Sequence, residues 1–113
     1  MNDWPRCAVW LEPALDGTYG IDDVRADIDA GRAQLWPLER SAAVTRIHDC
    51  PKQSILRIWL AGGAMDDLLA NMWKLEAFAR EAGCTAIELE GRRGWERVMP
   101  DFELVSVTLR RSV

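Results

Sequence analysis

Four groups of residues have the types that binding or catalysis requires. His48, Asp49 and Cys50 supply a base, a carboxylate and a thiol in consecutive positions. They stand just before Pro51, and no second cluster with ligand spacing accompanies them, so a polar turn is expected there and no metal site. Glu88 and Glu90 share one face if their segment is a strand. They would be general bases if they lined a cleft, and solubilising groups if that face is solvated. Arg92, Arg93 and Arg97 surround Trp95 in the only dense basic patch that contains an aromatic ring. Arg and Trp are frequent binding anchors, which makes the patch a candidate docking point for an acidic protein surface or a phosphate. The other reading has Trp95 packed inward and the arginines in water or paired with Glu88, Glu90 or Glu96. The last group is the turn Leu60-Ala61-Gly62-Gly63, followed at once by Asp66 and Asp67. Ser41, Ser54 and Ser106 have no strand–turn–helix context, so no catalytic serine is indicated.

The elements that would position these groups follow from the spacing of apolar residues. Asp3-Trp4-Pro5 reads as a helix cap followed by an early helical proline. Cys7, Trp10, Leu11, Ala14 and Leu15 then recur at helical spacing, with Pro13 limiting their regularity. A second short helix carries Ile21, Val24 and Ile28 on one face and stops at Gly31. Three strands are expected at Ala33–Trp36, Ser41–Ile47 and Ser54–Leu60. The third is apolar on both faces except for Arg57, which places it centrally, and Gly62-Gly63 should break it. Met65, Leu68, Leu69, Met72, Leu75, Ala79 and Ala82 form one stripe of a long helix from Met65 to Ala82, ended by Gly83. Thr85, Ile87 and Leu89 alternate with Ala86, Glu88 and Glu90 in a strand with one polar face. A short helix or turn at Gly91–Met99 leads to a last strand, Phe102–Arg110, with Val105, Val107 and Leu109 on one face. The long helix between two strands implies a crossover between parallel neighbours. The expectation is a single α/β domain over residues 1–113 with a mixed sheet.

That order, the turn Leu60-Ala61-Gly62-Gly63 and the run Gly83-Cys84-Thr85-Ala86-Ile87-Glu88-Leu89-Glu90-Gly91-Arg92-Arg93-Gly94-Trp95-Glu96-Arg97-Val98 resemble the GNAT superfamily of N-acetyltransferases. More narrowly, the chain is similar to small GNAT-like proteins encoded by bacteriophages and prophages, which often lie among virion-structure genes. The resemblance covers roughly residues 21–110, with Gly91 to Val98 its most specific part, and implies that the first strand of the family is missing. It also implies a place for acetyl-CoA at Leu60, Gly62 and Gly63, where active members hold a pyrophosphate on the amides of the turn opening the long helix. Here the turn lacks the family's basic residue and alternating glycines, and Asp66 and Asp67 stand in the first helical turn. Carboxylates there would satisfy the amides and dipole that a phosphate would use. Gly62 and Gly63 are then either a tight strand-to-helix turn or a relic cofactor loop. The family's usual Tyr acid, on the short helix before the last strand, has no counterpart in Gly94–Pro100, and Tyr19 is the sole tyrosine. No catalytic residue is assigned. The expected role is a non-catalytic accessory, virion-associated or assembly protein, with a protein partner that is a virion component or a second copy. An acetyl-CoA-dependent N-acetyltransferase is the alternative. The resemblance places synthesis in the bacterial cytoplasm.

Composition narrows the classes further. The 113 residues carry a net charge of −4, with 49% hydrophobic and 28% charged side chains, which suits one globular domain. Residues 1–30 hold seven acidic side chains against Arg6 and Arg25, and the remainder is close to neutral. An acidic chain without a basic stripe is a poor nucleic-acid binder. Three cysteines without paired spacing indicate neither a disulfide framework nor zinc. No apolar run reaches membrane-spanning length, and no signal-peptide pattern opens the chain, so a reducing compartment is expected and no membrane partner. Six tryptophans are many for this length, and most are expected to fill the core.

Overall fold

The computed structural model of the chain describes residues 3–91 and 95–113, with the backbone alone at Trp95 and Glu96. Helix α1 spans Trp4–Leu11, with Pro5 in its first turn, where no amide partner is needed. Asp3 occupies the cap position without capping; its carboxylate pairs with Arg6 at 3.1 Å. Pro13 confines Glu12–Ala14 to one turn of 3₁₀ helix. Helix α2 spans Ile21–Asp29, and the Asp23 carboxylate accepts the Gly20 amide at 2.8 Å. Val24 is fully buried on it, with Ile21 and Ile28 partly buried beside it.

Four strands follow as one mixed sheet in the order β1-β2-β3-β4: Gln34–Pro37, Ser41–Asp49, Ser54–Gly63 and Ala86–Leu89. The first three are antiparallel neighbours, and β3 pairs with β4 in parallel, as the intervening helical segment requires. Strand β3 is internal. Between Val44 and Thr45 the register slips, since Val44 faces Leu60 but Thr45 faces Ile58. Trp59 is therefore the unopposed residue of a β-bulge. The slip places Leu60 in the core under α1 and α2 and Ile58 in the core on the other face, although strict alternation would put both on one side.

The sheet lies between two helical layers. Trp4, Cys7, Leu11, Val24, Ala42, Val44 and Leu60 form the core on the α1 and α2 side. Leu56, Ile58, Leu75, Ala79 and Cys84 form the core on the other. Trp4 is buried, and Trp10, Trp36 and Trp59 pack against these cores, whereas Trp73 stands 63% exposed. The mixed α/β class expected from the element order is the class observed. No helix among the described residues is long and apolar enough to cross a membrane.

Three expectations need correction. The helix from Met65 to Ala82 is two helices, α3 (Met65–Ala70) and α4 (Met72–Glu81). Asn71 between them has φ −104° and ψ 5°, and its side-chain amide donates to the Asp67 carbonyl at 2.7 Å, competing locally with the helix. Strand β3 does not break at Gly62-Gly63 but continues through both, paired with Ala42 and Ser41. The segment Phe102–Arg110 does not join the sheet. It follows the short helix α5 (Trp95–Val98) without regular secondary structure, with Leu104, Val105, Val107 and Leu109 exposed.

Gly62 shows why glycine is needed inside β3. A Cβ there would collide with the Trp10 carbonyl, so the absence of a side chain lets α1 seat against the sheet. Gly62→Ala is expected to lower unfolding stability by about 2 kcal/mol or more, because backbone rather than a movable side chain must give way. Urea unfolding monitored by tryptophan emission measures it, and an unchanged midpoint would contradict this account of the packing.

Candidate functional site

The turn between β3 and α3 was the expected cofactor position. Leu60 is buried in the core, Gly62 is roofed by α1, and Gly63 has φ +101°. A Cβ on Gly63 would lie 2.6 Å from the Arg40 carbonyl and from the Ser41 Cα. Both glycines therefore serve close approach of backbone. The first turn of α3 is also engaged, but not as expected, because neither Asp66 nor Asp67 caps its own helix. The Asp67 carboxylate, 8% exposed, accepts the Arg40 amide at 2.9 Å and the Ser41 hydroxyl at 2.7 Å. The Asp66 carboxylate takes both terminal nitrogens of Arg40, at 2.8 and 3.3 Å. The Ala64 amide donates to the Arg40 carbonyl at 2.9 Å. Sequence spacing favoured local caps because the β1–β2 turn that brings in Arg40 and Ser41 is distant in the chain.

These residues do not fit an acyl-CoA. The helix start carries two carboxylates that would repel a pyrophosphate, and α3 has only six residues. Strand β3 does outrun β4, since parallel pairing ends at Ile58 opposite Leu89, and its last residues have no strand neighbour on that side among the described residues. The apolar crevice nearby, bounded by Met65, Met72, Leu89 and Met99, encloses only about 20 Å³. That is room for about one water, not for an acyl thioester.

The other expected groups fall in different places. His48 and Asp49 end strand β2 rather than forming a turn; the turn begins at Cys50, whose amide donates to the Gln53 carbonyl at 2.8 Å. Asp49 accepts the Ser54 hydroxyl. No group of metal-binding side chains occurs among the described residues. Burial pushes the Cys7 and Cys84 thiols up from their ordinary value, which keeps both protonated. Glu88 pairs with Arg57 at 3.0 Å and Glu90 reaches the same arginine at 3.8 Å, so both are engaged in ion pairs. Of the basic patch, Arg92 and Arg93 and the side chain of Trp95 lie outside the described residues, while Arg97 is exposed on α5.

The structure assembles a different basic surface. Arg46 and His48 alternate onto one face of β2, and Arg57 lies directly opposite Arg46 on β3. Arg32, from the turn after α2, completes a polar cleft of about 290 Å³ with them. The Arg46 guanidinium lies 3.8 Å from the centre of the Trp59 ring and 5.9 Å from that of Tyr19. Tyr19 meets Trp59 edge-on at 4.9 Å. Asp27 holds Arg32 at 2.7 Å and Glu88 holds Arg57, whereas Arg46 has no carboxylate partner among the described residues. Planar guanidinium donors around a concavity suit a carboxylate or another oxyanion. The sequence signal was the Arg46/His48 spacing together with an arginine inside an apolar strand, but the pairing that joins them needs the register.

Charge at the α3 start has a pH signature. The Arg40 guanidinium holds the Asp66 carboxyl below its ordinary value, and the Ser41 hydroxyl and then the Arg40 amide do the same for Asp67. A carboxyl whose folded value is depressed contributes stability above its unfolded value, about 4, and loses it as pH falls through the folded value. Melting temperature should therefore drop on acidification below about pH 4. Asp67→Ala leaves the buried Ser41 hydroxyl and the Arg40 amide without an acceptor. It should lower the neutral-pH melting temperature by about 5 °C or more and flatten the acid limb. Thermal melts across pH test both, and a variant with the wild-type curve would contradict the bonding described.

No protein-family model matches the chain, and no curated protein matches it. Among solved structures, TTHA1254 from Thermus thermophilus superposes with a TM-score of 0.65 at 16% identity, over 99% of this chain and 91% of that one. A point mutant of the same protein gives 0.66 over the same shares. The likeness at this identity is one of fold.

Proposed function

We propose that this chain is a non-catalytic, GNAT-like accessory domain that works by binding a protein partner rather than by transferring an acetyl group. The observation carrying the reading is the closed start of α3, where Asp66 and Asp67 are bonded to Arg40 and Ser41 at the point where a cofactor's diphosphate would have to sit. The cleft around Arg46 gives the domain its recognition surface, suited to acidic side chains of the partner. The resemblance to phage and prophage proteins makes a virion component or an assembly factor the partner class.

The rival reading, an acetyl-CoA-dependent N-acetyltransferase acting on an amine, draws on the way β3 outruns β4. It would require Asp66 and Asp67 to leave Arg40 and Ser41 on binding. Isothermal titration of the full chain with acetyl-CoA separates the two, and no saturable heat is expected. Saturable binding, weakened by pyrophosphate as a competitor, would defeat the non-catalytic reading. Substitutions at Gly63 are unsuitable controls, because its positive φ and close neighbours make any side chain there a folding defect.

A further inference from the structure

The C-terminal segment has the sequence of a strand and the surroundings of none. Val105, Val107 and Leu109 alternate with Ser106, Thr108 and Arg110, a β-branched period-2 pattern that expects one buried face. After the Phe102 amide donates to the Met99 carbonyl, no backbone bond joins the segment to a strand among the described residues. Val105 is 67% exposed, Val107 61% and Leu109 89%, so the apolar face lies in water. Among the described residues one ion pair lies along it, Arg110 to the Asp16 carboxylate at 3.7 Å, between two exposed side chains. Such a surface pair contributes little. Burying three such side chains would contribute several times as much, at about 25 cal/mol per Å² of apolar surface.

The same chain carries an edge suited to that segment. Among the described residues strand β4 pairs only with β3, so the backbone groups of its other side have no strand partner there. Ile87 and Leu89 pack toward α4, and Glu88 and Glu90 stand on the opposite face. A strand laid beside β4 would continue the apolar row with Val105, Val107 and Leu109 and set Arg110 beside the two glutamates. The charges are complementary and the polar rows match.

We propose that this chain forms a two-fold dimer in which each copy lends residues 102–110 as a strand to the β4 edge of the other. Because every copy holds one donor strand and one acceptor edge, the exchange closes on itself and leaves neither open. A second copy is favoured as the occupant because the segment leaves α5 toward Asp16 and is not seated on its own β4. This pairing does not depend on the functional reading given above.

Sedimentation velocity on the full chain tests it, combined with amide hydrogen exchange over residues 104–109. The expected result is a dimer with those amides protected at least tenfold. The double variant Val105→Lys, Val107→Lys should be monomeric and lose that protection. Its circular dichroism and tryptophan emission should remain native, since both side chains are exposed in the single chain. Val107→Pro, which removes one ladder donor, should dissociate the dimer by the same route. A monomeric wild type overturns the proposal; protected amides in that monomer would mean the segment folds onto its own β4. A dimer that survives both variants overturns it as well.

Discussion

A carboxylate buried as deeply as that of Asp67 must find donors, and the donors it finds decide how this domain is put together. The Arg40 amide lies in the turn between β1 and β2 and the Ser41 hydroxyl on the first residue of β2, so one side chain ties the start of α3 to a segment about 26 residues earlier in the chain. The Arg40 guanidinium returns to Asp66, closing the junction with an ion pair at the surface. Gly63 is pressed against the same turn, with the Arg40 carbonyl where a side chain would otherwise begin. On the opposite face of the sheet, Gly62 admits α1 to backbone contact. Strand end, helix start and turn are thus held from both sides, leaving little freedom for a loop to open around a phosphate.

This junction explains much of what the sequence could and could not say. Apolar periodicity located β2, β3 and α2, and the position of α4 between β3 and β4 required parallel pairing, because these depend on local spacing and simple geometry. Two glycines after an apolar run read as a break, since glycine most often marks one. Here they lie within the strand, for the sake of neighbours that are distant in the chain. Asp66 and Asp67 looked like caps because capping is the local use of such residues, whereas their partners depend on tertiary contact. The interruption at Asn71 belongs to the same class: the apolar stripe runs through it without a change of period, and only the bond to the Asp67 carbonyl marks the division.

The bulge at Trp59 has the widest consequences of any feature hidden from periodicity. It moves Ile58 and Leu60 to opposite cores and leaves Trp59 without a cross-strand partner. A large aromatic ring is thereby available beside Arg46, on a sheet face that α1 and α2 cover only in part. The basic patch around Trp95 is prominent in the sequence because its members are neighbours along the chain. The cleft of Arg32, Arg46, His48 and Arg57 is drawn from three elements and was invisible without the register.

That cleft also carries an electrostatic cost. Arg46 and Arg57 are directly opposite on adjacent strands, an arrangement that costs up to about 1 kcal/mol when both charges are unscreened. Arg57 is compensated by Glu88 and, at longer range, Glu90. Among the described residues Arg46 meets only the faces of Trp59 and Tyr19, which attract the cation but leave its in-plane N–H donors available. An incoming carboxylate that reached Arg46 would gain those donors and reduce the repulsion across the strand pair together. A carboxylate would therefore gain more at Arg46 than at Arg32 or Arg57, whose guanidinium groups already hold Asp27 and Glu88.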